Sequence, residues 1–159
     1  MSTARVVKGR PLRMEDAENG YDRLLARVVI DLGELLPIDH SRYDGFSVER
    51  IGRRRVTHVT VDPGFETDWS SIPALVQSRL LLGPKRRYRF AGLGHDKAYR
   101  VGIPRGPADR VWWIIAKSGP TESEQVGPVR SWLGWAGIRL GGWWAYMRRR
   151  HEREARGAS

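Results

Sequence analysis

An α+β domain is the fold this sequence predicts: a small N-terminal antiparallel sheet, made of a hairpin plus one further strand, covered by three to five C-terminal helices. Two observations lead there. Short β-branched runs bounded by turn residues occupy the chain up to Val61, and helix-spaced aromatic and aliphatic residues occupy the rest. Strands followed by helices, instead of strands alternating with them, separate this class from a parallel α/β sheet. Length agrees, since 159 residues suit one domain with a genuine core. The expected organisation is a flexible arm over 1–20, a single domain over 21–147 and a basic tail over 148–159.

Each element has a local reason. Leu24 to Leu32 reads as a strand because Val28, Val29 and Ile30 cluster between polar flanks, and Gly33 ends it. Phe46–Ile51 and Val56–Val61 read as a hairpin joined at Gly52-Arg53-Arg54. The two-residue period puts Val59 and Val61 on one face and His58 and Thr60 on the other, so His58 is expected to be an exposed strand residue. Asp62-Pro63-Gly64 breaks the strand, since proline offers no amide to a ladder. Ser70 or Ser71 before Ile72-Pro73 suits the cap of a short helix through Leu80. From Lys85, the spacing of Tyr88, Ala91, His95 and Tyr99 predicts a second helix with His95 turned inward. Gly102 to Pro107 reads as a loop, and Pro107 as the start of a third helix with Asp109 in its first turn, where the dipole favours a carboxylate. Thr121-Glu122-Ser123-Glu124 fits a capping box that opens the last helical region, and Gly127-Pro128 divides that region in two. The last helix carries a stripe at Trp132, Ala136, Leu140, Trp143 and Met147 that is expected to face the core, leaving Trp135 and Trp144 on its flanks.

Composition narrows the chemistry. There is no cysteine, which excludes disulfides, thiolate metal sites and a cysteine nucleophile. Lys and Arg number 28 against 18 acids, a net charge of +10, with runs at Arg53-Arg54-Arg55, Lys85-Arg86-Arg87 and Arg148-Arg149-Arg150. Such a surface suits nucleic acid, anionic lipid or an acidic protein face. The N-terminus lacks the apolar run of a signal peptide, and Arg139 interrupts the last apolar stretch, so no transmembrane segment is expected.

The chemistry-bearing residues are concentrated in three motifs. They are Gly64-Phe65-Glu66-Thr67-Asp68-Trp69-Ser70-Ser71-Ile72-Pro73, His95-Asp96-Lys97-Ala98-Tyr99 and Ala108-Asp109-Arg110. Their order and spacing resemble a family of small phage and prophage proteins known as domain of unknown function 1353. Its pattern runs through Gly-Phe-x-Thr-Asp-x-x-Ser-Ile-Pro, His-Asp-x-x-Tyr and Ala-Asp-x-x-Phe. The resemblance extends over residues 59 to about 147 and implies a phage origin, without naming a reaction. Two departures stand out: Ala74 follows Ile72-Pro73 where the family commonly has Arg, and Lys97-Ala98 replaces an aromatic and Leu.

His95 and Asp96 lie about 100° apart on a helix, so the expected polar centre is His95 with Asp68 and Asp109. A carboxylate on one imidazole nitrogen leaves the other for acid, base or ligand work, and Ser71 supplies a hydroxyl nucleophile. The same residues equally suit a structural network, with Asp68 accepting from its own loop. No cofactor is expected. Were a metal held by His95, Asp68 and Asp109, oxygen-preferring Mg²⁺ or Mn²⁺ would fit better than Zn²⁺. The leading functional expectation is a small virion-associated structural or interaction protein, a tail or particle accessory in the virion or host cytoplasm. Its contacts with other virion proteins or with itself would use Trp135, Trp144, Arg148 and Arg149. The alternatives are a His/Asp-dependent hydrolase of cell-envelope or nucleic-acid substrates, and an electrostatic binder of nucleic acid or membrane surfaces.

Overall fold

A β-hairpin supplies the longest pairing. In the computed structural model, which describes residues 5–8, 14–16, 22–67, 88–118 and 127–141, β5 (Phe46–Ile51) and β6 (Arg54–Val61) pair from Phe46↔Val59 to Ile51↔Arg54. The hairpin is the one the sequence predicts, with a shorter turn: Gly52 and Arg53 alone form it, and Arg54 and Arg55 already belong to the strand. Val28–Asp31 (β4) pairs with the other edge of β6, and Arg5–Lys8 (β1) with β4, giving the order β1-β4-β6-β5. A second antiparallel sheet joins Met14–Asp16 (β2), Asp22–Leu24 (β3) and Glu66–Thr67 (β7) in the order β2-β3-β7. Three helices come after the strands among the described residues, and the whole is α+β.

Two strand expectations change. The strand read over Leu24 to Leu32 is divided between the two sheets, because Leu24 gives its N–H to Phe65 O (2.9 Å) and its carbonyl to Gly64 N–H (2.7 Å). These bonds commit it to the turn before β7 and not to β6. Residues 5–8 and 14–16, inside the segment read as a flexible arm, are strands; β4 presents an open edge of backbone donors and acceptors that β1 satisfies. His58 is also not the exposed residue that alternation suggests. It is buried, because β6 runs between β4 and β5, and Glu49 on the neighbouring strand closes over Nδ1 at 3.0 Å.

The helices stack outward from the sheets. Helix α1 (Arg89–Val101) packs on β6 and β7 and on α2 (Arg105–Ser118), which in turn carries α3 (Pro128–Gly141). Every residue of α1 from Phe90 to Tyr99 is buried, so this is a central helix and not one with a single inward face. Its close approach to α2 depends on Gly94: a Cβ there would stand 2.7 Å from Ile115 Cδ1 and 3.1 Å from Val111 Cγ1. Gly102 ends α1 in the left-handed region, with its N–H on the Ala98 and Tyr99 carbonyls. The connection is shorter than the loop read over Gly102 to Pro107, since α2 already starts at Arg105.

That early start puts Asp109 in the second turn of α2, beyond the reach of the dipole role expected for it. The stripe of α3 departs from expectation where it is described, the side chains of Leu140, Trp143 and Met147 lying outside the described residues. Ser131 and Ile138 are the fully buried positions, Gly134 is buried with them, Trp135 is half-buried, and Trp132 is 58% exposed. The helix read at Ser71 to Leu80, the capping box at Thr121 to Glu124 and the tail from 148 lie outside the described residues.

Gly45 joins the hairpin to α1. It adopts φ +78°, and an added Cβ would lie 2.5 Å from the Thr60 carbonyl oxygen and 2.5 Å from Lys97 Cε. Lys97 can move, but the β6 backbone cannot. Gly45→Ala is expected to lower stability by at least about 1–2 kcal/mol, the cost of left-handed backbone alone, seen as a lower urea midpoint at unchanged slope.

Candidate functional site

The described parts of the three sequence motifs converge on α1. His95 and Tyr99 are four residues apart, hence on one face, and their rings meet at a 44° tilt with 4.2 Å between centroids. Both point at Asp109 of α2: His95 Nε2 lies 3.1 Å and the Tyr99 hydroxyl 2.9 Å from Oδ1. Arg139 of α3 reaches the other oxygen, with Nη1 donating to Oδ2 at 3.2 Å. Arg105, one turn before Asp109, stands at 3.6 Å from the same oxygen. Arg105 also donates to the carbonyls of Ile138 and Arg139, so one side chain ties the start of α2 to α3. His95 and Asp109 are each 0% exposed.

The electrostatics derive from this arrangement. Burial alone pushes the Asp109 carboxyl upward, but the hydrogen bonds and charge of His95, with those of Tyr99 and Arg139, outweigh it and hold Asp109 below its ordinary value. Burial, then the adjacent Asp109 charge, raises the Tyr99 phenol far above its usual value, so it stays a donor. An ionised carboxylate only accepts, which assigns the proton to His95 Nε2. The other ring nitrogen, Nδ1, has no hydrogen-bond partner among the described residues and lies 3.9 Å from Asp96 Oδ1.

Asp96 is buried too, because α1 is covered on every side and a 100° turn does not bring it to solvent. It accepts from the Thr67 hydroxyl of β7, which brings the first motif to the second. Lys97 reaches the other way, bonding Asp44 at 2.8 Å. The expected meeting of His95 with Asp109 is therefore present, while Asp68 and Ser71 lie outside the described residues. No group of three or more His, Asp or Glu side chains is placed to hold a metal among the described residues. Sequence reasoning missed Arg139, which is 30 positions from Asp109 and has no local signal. It also missed Arg105, whose i,i+4 spacing to Asp109 was visible.

A second feature lies on the outer side of α2 and α3. Gly106, Arg110, Trp113, Trp132, Trp135 and Arg139 line an open groove of about 570 Å³. Lys117 sits over the Trp113 ring at 5.0 Å and Arg139 over the Trp135 ring at 5.8 Å. Of the expected interface residues, Trp135 lines this groove; Trp144, Arg148 and Arg149 lie outside the described residues. No helix among the described residues is long and apolar enough to cross a membrane.

A family described as Protein of unknown function (DUF1353) matches residues 47–138, a span that holds Thr67, His95, Asp96, Tyr99, Asp109 and every described groove residue but Arg139. No curated protein and no solved structure matches the chain.

Because Asp109 is depressed in the folded state, the unfolded chain binds more protons, and stability rises with pH through this window. The contribution is complete above the ordinary Asp value of about 3.9 and is lost as pH falls through the lower folded value. Asp109→Asn should remove that part of the acid slope and cost about 3 kcal/mol or more at neutral pH, since partners of a buried pair lose their counter-charge. Urea midpoints measured from neutral to acid pH for both proteins check this.

Proposed function

The chain belongs to the DUF1353 family, and we propose that it is a phage-encoded, virion-associated interaction protein that works without catalysis. Its buried polar network holds α1, α2 and α3 so that the Trp groove meets an acidic segment of a partner virion protein. The observation that carries this reading is the saturation of Asp109. His95, Tyr99 and Arg139 occupy its two oxygens, and neither His95 nor Asp109 touches solvent. A carboxylate so committed is a clamp; orienting a reactive imidazole towards a substrate needs an approach that a wholly buried ring does not offer.

Charge complementarity favours an acidic occupant. Arg110 and Arg139 are 51% and 44% exposed, and each spends one N–H on an inner acid, Glu34 at 2.6 Å and Asp109 at 3.2 Å. Each guanidinium has five N–H donors, so several remain for a partner. Trp and Arg are also the residue types most enriched among interface anchors.

Trp132→Ala tests the groove without touching the core, because Trp132 is largely exposed. The variant should melt with the parent yet weaken incorporation into purified particles by about tenfold or more, the size of an anchor residue. Normal incorporation by a folded Trp132→Ala protein would end the groove reading.

A hydrolytic reading draws on one observation, the unpartnered Nδ1 of His95. It requires parent activity on peptidoglycan, nucleic acid or esters that His95→Ala abolishes while the fold persists. The clamp reading expects no such activity, and expects His95→Ala to lose about 3–5 kcal/mol of stability by breaking a buried pair. Calorimetry and turnover assays on the same preparations distinguish the two.

A further inference from the structure

The tip of the β5–β6 hairpin carries Arg50, Arg53, Arg54 and Arg55, all exposed. Register fixes their directions. Arg50 stands opposite Arg55, on the face that carries Phe46 and Val59 into the core four residues away, whereas Arg54 stands opposite Ile51 on the other face. Arg53 lies in the turn. Residues on the core-facing side are exposed at the tip, so the ribbon runs past the edge of the body with both faces open to solvent.

These cations are also without acids among the described residues. Arg23, Arg27, Arg105, Arg110 and Arg139 each reach a carboxylate elsewhere in the described structure. The four tip arginines reach none among the described residues; Arg50 bonds only the Gly52 carbonyl, at 3.2 Å, and Glu49 is held by His58. Like charges directly opposed across a hairpin are destabilising. The Arg50–Arg55 pair therefore carries a folding cost that an external anion would reverse.

We infer that this hairpin tip docks on duplex DNA, its arginines meeting phosphates on both walls of the major groove. A two-stranded ribbon fits that groove, which is about 12 Å wide in B-form DNA. The deep, narrow major groove of A-form RNA does not admit it. A lipid surface is flat and meets one face of a ribbon, leaving the cations of the other face unused. Arginine is the only side chain at the tip able to reach base edges, where its pairing is confined to guanine, so most of the affinity comes from phosphate contacts and depends on charge and shape. The DNA surface is separate from the Trp groove, which lies on α2 and α3.

The test uses the full chain and a short mixed-sequence DNA duplex, with affinity read by fluorescence anisotropy across a salt series. Four phosphate contacts give a slope of log affinity against log salt of about −3.6, near a hundredfold loss between about 50 and 200 mM. Arg50→Gln with Arg55→Gln removes one face, and Arg53→Gln with Arg54→Gln removes the turn and the other. Each pair should weaken binding and make the slope shallower by about 1.8. Arg42→Gln with Arg130→Gln removes the same charge from exposed sites off the hairpin, and should leave the slope unchanged. The inference is overturned if the off-hairpin pair matches the hairpin pairs, if only one face matters, or if the parent binds phosphatidylserine vesicles and not DNA. Circular dichroism and thermal melting confirm that each variant is folded, which these exposed positions permit.

Discussion

A carboxylate shut away from water must collect its hydrogen bonds from the protein, and Asp109 of α2 collects them from the helices on either side of it. The need arises because α2 begins at Arg105, which carries Asp109 past the helix start and into the interior. There an unpaired charge would cost several kcal/mol. His95 and Tyr99 answer it from α1 and Arg139 from α3, so the positions of three helices are conditions on one another. Gly94 belongs to the same arrangement, since the imidazole of His95 meets Asp109 only if α1 and α2 pass closely at the preceding residue.

The network extends into the sheets through the neighbours of His95. Asp96 takes the hydroxyl of Thr67 on β7, and Lys97 crosses to Asp44 just before the hairpin. Three consecutive residues of one buried helix thus bond in three directions. Their polar ends would be liabilities in an apolar core; the bonds they make define which way α1 lies and at what depth. Arg139 then connects inside to outside, because the side chain that completes the Asp109 pair also lines the Trp groove. A change in that ion pair would be felt at the groove through a single residue.

Local chemistry made much of this legible. The hairpin came from alternation and a glycine turn, α1 from its spacing, and the start of α3 from Gly127-Pro128, because each rests on interactions among near neighbours. His95 with Asp109 was legible as well, from two polar residues placed on otherwise apolar helices. His58 and Trp132 of the α3 stripe were misread for one reason. Period-based reasoning assumes that each element has one covered face filled by its large residues, whereas β6 is covered on both sides and α3 buries Ser131, Gly134 and Ile138 while leaving Trp132 exposed.

Residue order and type were enough to establish the α+β class, the concentration of polar chemistry in three motifs, the absence of thiol chemistry and the basic hairpin, since all are properties of short stretches or of composition. Tertiary structure alone decided that Arg139 is the counter-ion of Asp109 across 30 residues, that Leu24 and Val28 enter different sheets, and that the hairpin's arginines lie past the edge of the core. Those facts depend on which surfaces meet. That is settled by the combined packing of distant segments, which no local periodicity encodes.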